Sequence, residues 1–176
     1  MINEEAARNY AIAIYEIAEQ LKKEKVILEN LKIVAELYEK NIEFRDTVNH
    51  PSLPNTARKV MVVKVFADVL DSLAMDVMTY LIEKDRFNEI AGISREFQKM
   101  YNEKNAIIEV EAVFAVEPTS VQKDELNKKL AGMTGKKIEL IVKIDKSIIG
   151  GGIIKIGDRI IDGSIRRQFE ILRASL

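Results

Sequence analysis

Lys104-Asn105-Ala106-Ile107-Ile108-Glu109-Val110-Glu111-Ala112-Val113-Phe114 is the stretch where the hydrophobic period of the chain changes. Before it, apolar residues recur every three or four positions. From Ile107 onward they crowd or alternate, and Ile and Val supply β-propensity. The change predicts a strand over 107–114 and a division of the chain beside Asn105. The fold class is therefore α+β: an N-terminal six-helix bundle over 1–105, then a small α/β domain over 106–176.

Downstream of the division, Pro118 suits a helix start, and Val121, Leu126 and Leu130 carry that helix to Gly132. Lys137 to Ile144 alternates polar and apolar as a half-buried strand does. Gly150-Gly151-Gly152 leads into a short strand, Ile153-Ile154-Lys155-Ile156. Gly157-Asp158 reads as a tight turn between strands, and Asp162-Gly163-Ser164 as the turn from strand to helix. The last helix is expected to start near Ser164 and to carry Ile165, Phe169 and Leu172 inward.

Upstream, Ala7, Tyr10, Ile14, Ile17 and Leu21 fall on one stripe of a first helix. Leu28, Leu31, Ala35, Tyr38 and Ile42 mark the inner face of a second. Pro51 and Pro54 forbid a continuous helix between Asn49 and Asn55, and Asn55 or Thr56 is placed as the next cap. The segment from Arg58 to Leu70 holds the β-branched run Val60-Met61-Val62-Val63 and could be read as a strand. Its length and its helical neighbours favour a helix. Leu73, Ala74, Val77, Met78, Leu81 and Ile82 give the next helix a wide apolar face, and Phe87, Ile90, Ile93, Phe97 and Met100 stripe the last of the bundle.

Composition excludes several classes of function. The 176 residues are 47% hydrophobic and 31% charged, ordinary values for a folded, water-soluble protein. Net charge is −1, with about −3 before the division and +2 after it, so neither half carries the basic footprint of a nucleic-acid binder. Without cysteine, disulfides and thiolate metal sites are ruled out. The acidic start, Asn3-Glu4-Glu5, does not resemble a signal peptide, and no stretch nears the roughly 20 apolar residues that span a bilayer. Membrane association is therefore expected only through partners, with no direct insertion.

The candidates for chemistry have structural explanations. Gly150-Gly151-Gly152 misses the dinucleotide fingerprint, because Lys155 stands where its third glycine belongs, and reads instead as a tight turn with close backbone approach. His50, the only histidine, precedes Pro51 in a loop with no second metal ligand nearby. Glu4-Glu5 and Asp124-Glu125 are expected to begin helices, where they favour the helix dipole, and Lys22, Lys23 and Lys25 to form a solvated surface. Asp162 or Ser164 is expected to cap the last helix. The expectation is no catalytic residue, no cofactor and no metal.

The run from Asp145 to Arg166 resembles the signature of the delta subunit of F-type ATP synthases, whose mitochondrial counterpart is the oligomycin-sensitivity-conferring protein. Its elements here are Gly151, Gly152, Gly157, Asp158, Asp162, Gly163, Ser164 and Arg166. Ala7 to Ala18 is similar to the family's first helix. Asn49-His50-Pro51 and Leu81 to Arg86 resemble further landmarks, so the likeness covers essentially the whole chain. Arg167, Gln168 and Phe169 depart from the usual small residue, basic residue and Leu.

The resemblance implies a stator subunit of the peripheral stalk, non-catalytic and present in one copy per complex, at the cytoplasmic face of the inner (plasma) membrane. It links the catalytic head to the stalk and resists rotor torque during proton- or sodium-coupled ATP synthesis. The family's bundle binds N-terminal helices of the alpha subunits, and its C-terminal domain binds the b-subunit coiled coil. By similarity the alpha-subunit groove lies between the first and fifth helices, near Tyr10, Ala11, Ile14, Ala74, Val77 and Met78. Ala6, Ala7, Ala11, Ala13 and Ala18 give the first helix shallow sides that let another helix approach. Ala11→Arg is accordingly expected to weaken alpha-subunit binding and leave the bundle folded. A helical interaction adaptor outside the synthase is the alternative, and only the signature speaks against it.

Overall fold

The computed structural model describes residues 4–157 and 159–174, with the backbone alone at 170, 172 and 174. The chain forms two compact units that part between Tyr101 and Asn102. The division lies a few residues before the expected Asn105, because the last turn of the helix Ile90–Lys104 groups with the second unit. There Asn102 is buried and its Nδ2 donates to Glu109 Oε1 over 2.9 Å.

The first unit is built from α1 (Glu4–Gln20), α2 (Glu24–Lys40), α3 (Ile42–Val48), α4 (Asn55–Phe66), α5 (Ser72–Glu83) and α6 (Ile90–Lys104), the last entered through a 3-10 turn, Phe87–Glu89. Glu4 and Glu5 stand in the first turn of α1. α2 and α3 were expected as one helix. They separate at Asn41, whose side chain accepts from the Phe44 amide at 2.9 Å and so starts a new helix. Ile42, expected inward, stands exposed as a result.

α4 is helical in spite of its β-branched run. The row Arg58, Val62 and Phe66, spaced by four, is buried and Met61 packs partly beside it, while Val60, Val63 and Val65 stay exposed. Pro54 occupies its N-cap position without a side-chain cap. Neither Asn55 nor Thr56, the two expected caps, takes that place, and Asn55 instead accepts from the Arg58 guanidinium. That buried guanidinium also donates to Asp85 Oδ1 at 2.6 Å and to the Val48 carbonyl at 3.4 Å, latching α4 to the turn after α5 and to the last residue of α3. At the centre, Phe44 packs edge-on against Phe66 and Phe87, with ring centroids 5.8 and 6.1 Å away. Side chains of this size contribute about 1.5–3 kcal/mol each when fully buried.

The second unit holds β1 (Ile107–Phe114), α7 (Ser120–Thr134), β2 (Lys137–Ile144), β3 (Gly152–Ile156), β4 (Arg159–Asp162) and α8 (Ile165–Ala174). The sheet order is β2-β1-β3-β4. β1 and β2 pair in parallel from Ile107 opposite Lys137 to Phe114 opposite Ile144, a pairing that needs a crossover, which α7 supplies. β3 lies antiparallel to β1, and β4 to β3. Val110 and Ala112 point to the buried face, while Glu111 on the other accepts from Lys143 at 2.8 Å.

α7 opens with a capping box between Thr119 and Gln122 and passes through Gly132, where the sequence suggested its end. It stops at Gly135, which takes the left-handed conformation, φ 66°, that glycine adopts without strain. Asp124 and Glu125 therefore lie one turn inside the helix rather than at its start. Val121, expected inward, is exposed.

Candidate protein-docking groove

α1 and α5 run antiparallel, and two contacts fix them. Tyr10 meets Tyr80 edge-on with centroids 6.5 Å apart, and Lys23 Nζ lies 2.8 Å from Asp71 Oδ2. Asp71 is the N-cap of α5. It accepts from the Leu73 amide at 3.0 Å, and its own amide donates to Asn30 Oδ1 at 2.7 Å. The Lys23 ammonium, with help from the Leu73 amide, holds the Asp71 carboxyl below its usual range. Lys23 is thus a structural ion-pair partner rather than idle surface.

Between the two contacts lies an open apolar groove of about 430 Å³, lined from α1 by Tyr10, Ala13, Ile14 and Ile17 and from α5 by Leu73, Asp76, Val77, Tyr80 and Leu81. Ile17 and Tyr80 are 45% and 48% exposed and face each other across the groove, so they form one apolar patch open to solvent. Each wall spans about two helical turns, roughly 10–12 Å at 1.5 Å per residue. Lys84 caps the Tyr80 end, its ammonium 5.5 Å from the ring centroid.

Of the residues expected here, Tyr10, Ile14 and Val77 line the groove. Ala11, Ala74 and Met78 do not; they are buried behind it in the core. Ala7, Ala11 and Ala18 form the small-residue face of α1, and they admit helices of the same chain. Ala13 opens outward. Ile17 and Leu21, expected inward, are exposed, and Tyr15 takes an inner place instead, against Phe97 at 5.1 Å. Burial raises the Tyr15 pKa. The sequence reading missed Ala13, Ile17, Leu73, Asp76, Tyr80 and Leu81 as lining residues. The signal was that α1 carries two apolar rows, and two rows cannot both enter one core.

The signature residues of the second unit form a backbone clasp. The Gly163 amide donates to the Gly152 carbonyl at 3.0 Å, and the Ile165 amide to the Gly150 carbonyl at 3.0 Å. Gly151 has φ 82°, and a Cβ there would collide with the Gly163 carbonyl oxygen. A Cβ on Gly152 would come within 2.9 Å of the Phe114 ring. Asp162 Oδ1 accepts from the Ser164 amide at 2.9 Å, and buried Ser164 caps α8 by accepting from the Arg167 amide at 3.2 Å. The Ser164 hydroxyl and amide lower the Asp162 pKa. Gly157, φ 55°, turns the chain after β3. Asp158 lies outside the described residues. Arg166 is exposed on α8, and exposed His50 accepts from the Ser52 amide at 3.3 Å.

Ile165 and Phe169, expected inward, are exposed on α8, Phe169 at 65%. The Leu172 side chain lies outside the described residues. Among the described residues, no cluster of His, Cys, Asp and Glu could hold a metal, and no helix is long and apolar enough to cross a membrane.

Comparison with known proteins accounts for this arrangement. The family model described as ATP synthase delta (OSCP) subunit matches residues 6–176. The chain is 49% identical over 175 residues to the sodium ion specific ATP synthase subunit delta of Propionigenium modestum, covering 99% of this chain and all of that one. It is 46% identical over 170 residues to the protein of the same name from Ilyobacter tartaricus, covering 97% of each. A chain of the Toxoplasma gondii mitochondrial ATP synthase hexamer shares the fold, with TM-score 0.69, 21% identity and 96% of each chain covered. One unit carries an open apolar groove and the other is clasped by the signature glycines, and these matches show that the chain belongs to the ATP synthase delta (OSCP) subunit family.

Proposed function

We propose that the groove between α1 and α5 receives an N-terminal helix of the synthase alpha subunit, and that the second unit binds the end of the b-subunit coiled coil. As a delta-family protein the chain is a non-catalytic peripheral-stalk subunit, so it must supply affinity and stiffness. One copy, joined to both neighbours, would hold the catalytic head against rotor torque at the cytoplasmic face of the membrane.

The observation that carries the reading is the groove itself. Apolar residues three and four apart on two facing helices, open to solvent over about two turns, match the anchor spacing of an amphipathic helix laid between them. A few well-buried anchors contribute about 2 kcal/mol or more each. Exposed Phe169, Ile149 and Val116 give the second unit its own apolar surface.

The test is co-purification of the full chain with the alpha and b subunits, comparing wild type with Ala13→Arg. Ala13 is exposed and lines the groove, so arginine there should block alpha-subunit binding without unfolding the bundle. Undiminished capture of the alpha subunit would move the docking site elsewhere.

A further inference from the structure

One carboxylate stands in the otherwise apolar groove. Asp76 is the one charged side chain among its described lining residues. It is exposed in the open groove, and no ion pair or side-chain hydrogen bond engages its carboxylate among the described residues; only its backbone carbonyl is used, accepting from Thr79 Oγ1 at 2.9 Å. Three acids at the ends of α5 are paired instead. Asp71 is paired with Lys23, Glu83 with Lys59 and Asp85 with Arg58. The nearby cation Lys84, just past the end of α5, sits against the Tyr80 ring two turns further along the chain.

A helix lying in this groove would cover Asp76 and strip water from it, which is unfavourable unless the incoming surface supplies a cation. We infer that Asp76 is a specificity determinant of the groove: the docked helix carries a lysine or arginine beside its apolar anchors, placed to pair with this carboxylate. A helix with the same anchors and an acid at that place is rejected. With Lys84 at one end and Asp76 part-way along, the groove also has a charge polarity that favours one direction of docking. This inference rests on the docking reading above and adds the chemistry of the occupant.

The experiment is calorimetric titration of the full chain with a peptide of the cognate alpha-subunit N-terminal helix. Asp76→Asn, at a position open to the groove, should keep wild-type helicity, weaken binding about two- to fivefold and flatten its dependence on salt. Asp76→Lys should weaken it by about tenfold or more. Replacing the peptide's basic residues singly by Gln should identify one whose loss matches that of Asp76→Asn and adds nothing to it. If Ala13→Arg abolishes binding while Asp76→Asn binds as wild type at every salt concentration, the groove stands and the role of Asp76 falls. If no basic residue of the peptide couples to Asp76, the role of Asp76 falls in the same way. If the wild-type chain does not bind the peptide, both readings fall.

Discussion

Lys23 Nζ and Asp71 Oδ2 lie 2.8 Å apart and tie the turn after α1 to the first turn of α5. Together with the Tyr10–Tyr80 contact, this pair holds the two walls of the groove at both ends. The groove is therefore formed before any partner arrives, which lowers the ordering cost that binding would otherwise carry.

Asp71→Ala removes a helix cap as well as the ion pair. The first unit should lose about 1 kcal/mol, most of it from the cap, since an ion pair that solvent still reaches contributes little. Thermal unfolding should shift by several degrees, and Lys23→Ala should shift it less. An equal effect from Lys23→Ala would assign the stabilisation to the pair instead.

Acid should erase part of this contribution. The folded state lowers the Asp71 pKa, first through Lys23 and then through the Leu73 amide. A lowered carboxyl stabilises the fold above its unfolded pKa and stops doing so as pH falls through the folded value. The difference in denaturant midpoint between wild type and Asp71→Asn should be largest near neutrality and shrink in strong acid. A gap that grows on acidification would reverse the assigned sign.

Two nearby alanines on α1 should respond in opposite ways to the same substitution. Ala11 is fully buried, so Ala11→Arg forces a cation into the core and should destabilise the bundle by about 3 kcal/mol or more. The sequence alone suggested that this variant would stay folded, and its burial corrects that expectation. Ala13→Arg should keep full helicity and a cooperative melt.

Gly151 and Gly157 both have positive φ, but only Gly151 is crowded. Gly157→Ala should cost about 1–2 kcal/mol from conformation alone. Gly151→Ala adds the collision with the Gly163 carbonyl oxygen and should cost more, loosening the clasp. Hydrogen exchange at Val110 and Ala112 in β1 reads the difference; equal exchange rates in the two variants would mean that the clasp does not hold the sheet.

The parts of this fold that were readable from sequence are those where one period dominates. β1 and β2 occupy the expected spans because alternation places Val110 and Ala112 on one face and Glu109 and Glu111 on the other. Asn41 was missed because the apolar pattern runs through it, and only its side-chain cap breaks the helix. α1 misled for a different reason. Large side chains outweigh alanine in any hydrophobic ranking, yet close helix packing selects Ala7, Ala11 and Ala18, leaving Ile17 and Leu21 outside. α8 misled similarly: its stripe is amphipathic, and a stripe states that a face needs covering without stating which chain covers it.

On the proposed function, the two units serve different neighbours. That division is tested most directly by carrying Ala13→Arg and Phe169→Asp separately in the full chain and measuring binding to the alpha-subunit N-terminal peptide and to the soluble part of the b subunit. Both side chains are exposed, so both variants should fold. Ala13→Arg should lose the alpha peptide and keep b, while Phe169→Asp should keep the alpha peptide and lose b. Loss of both partners in either folded variant, or loss of neither in both, would contradict that division.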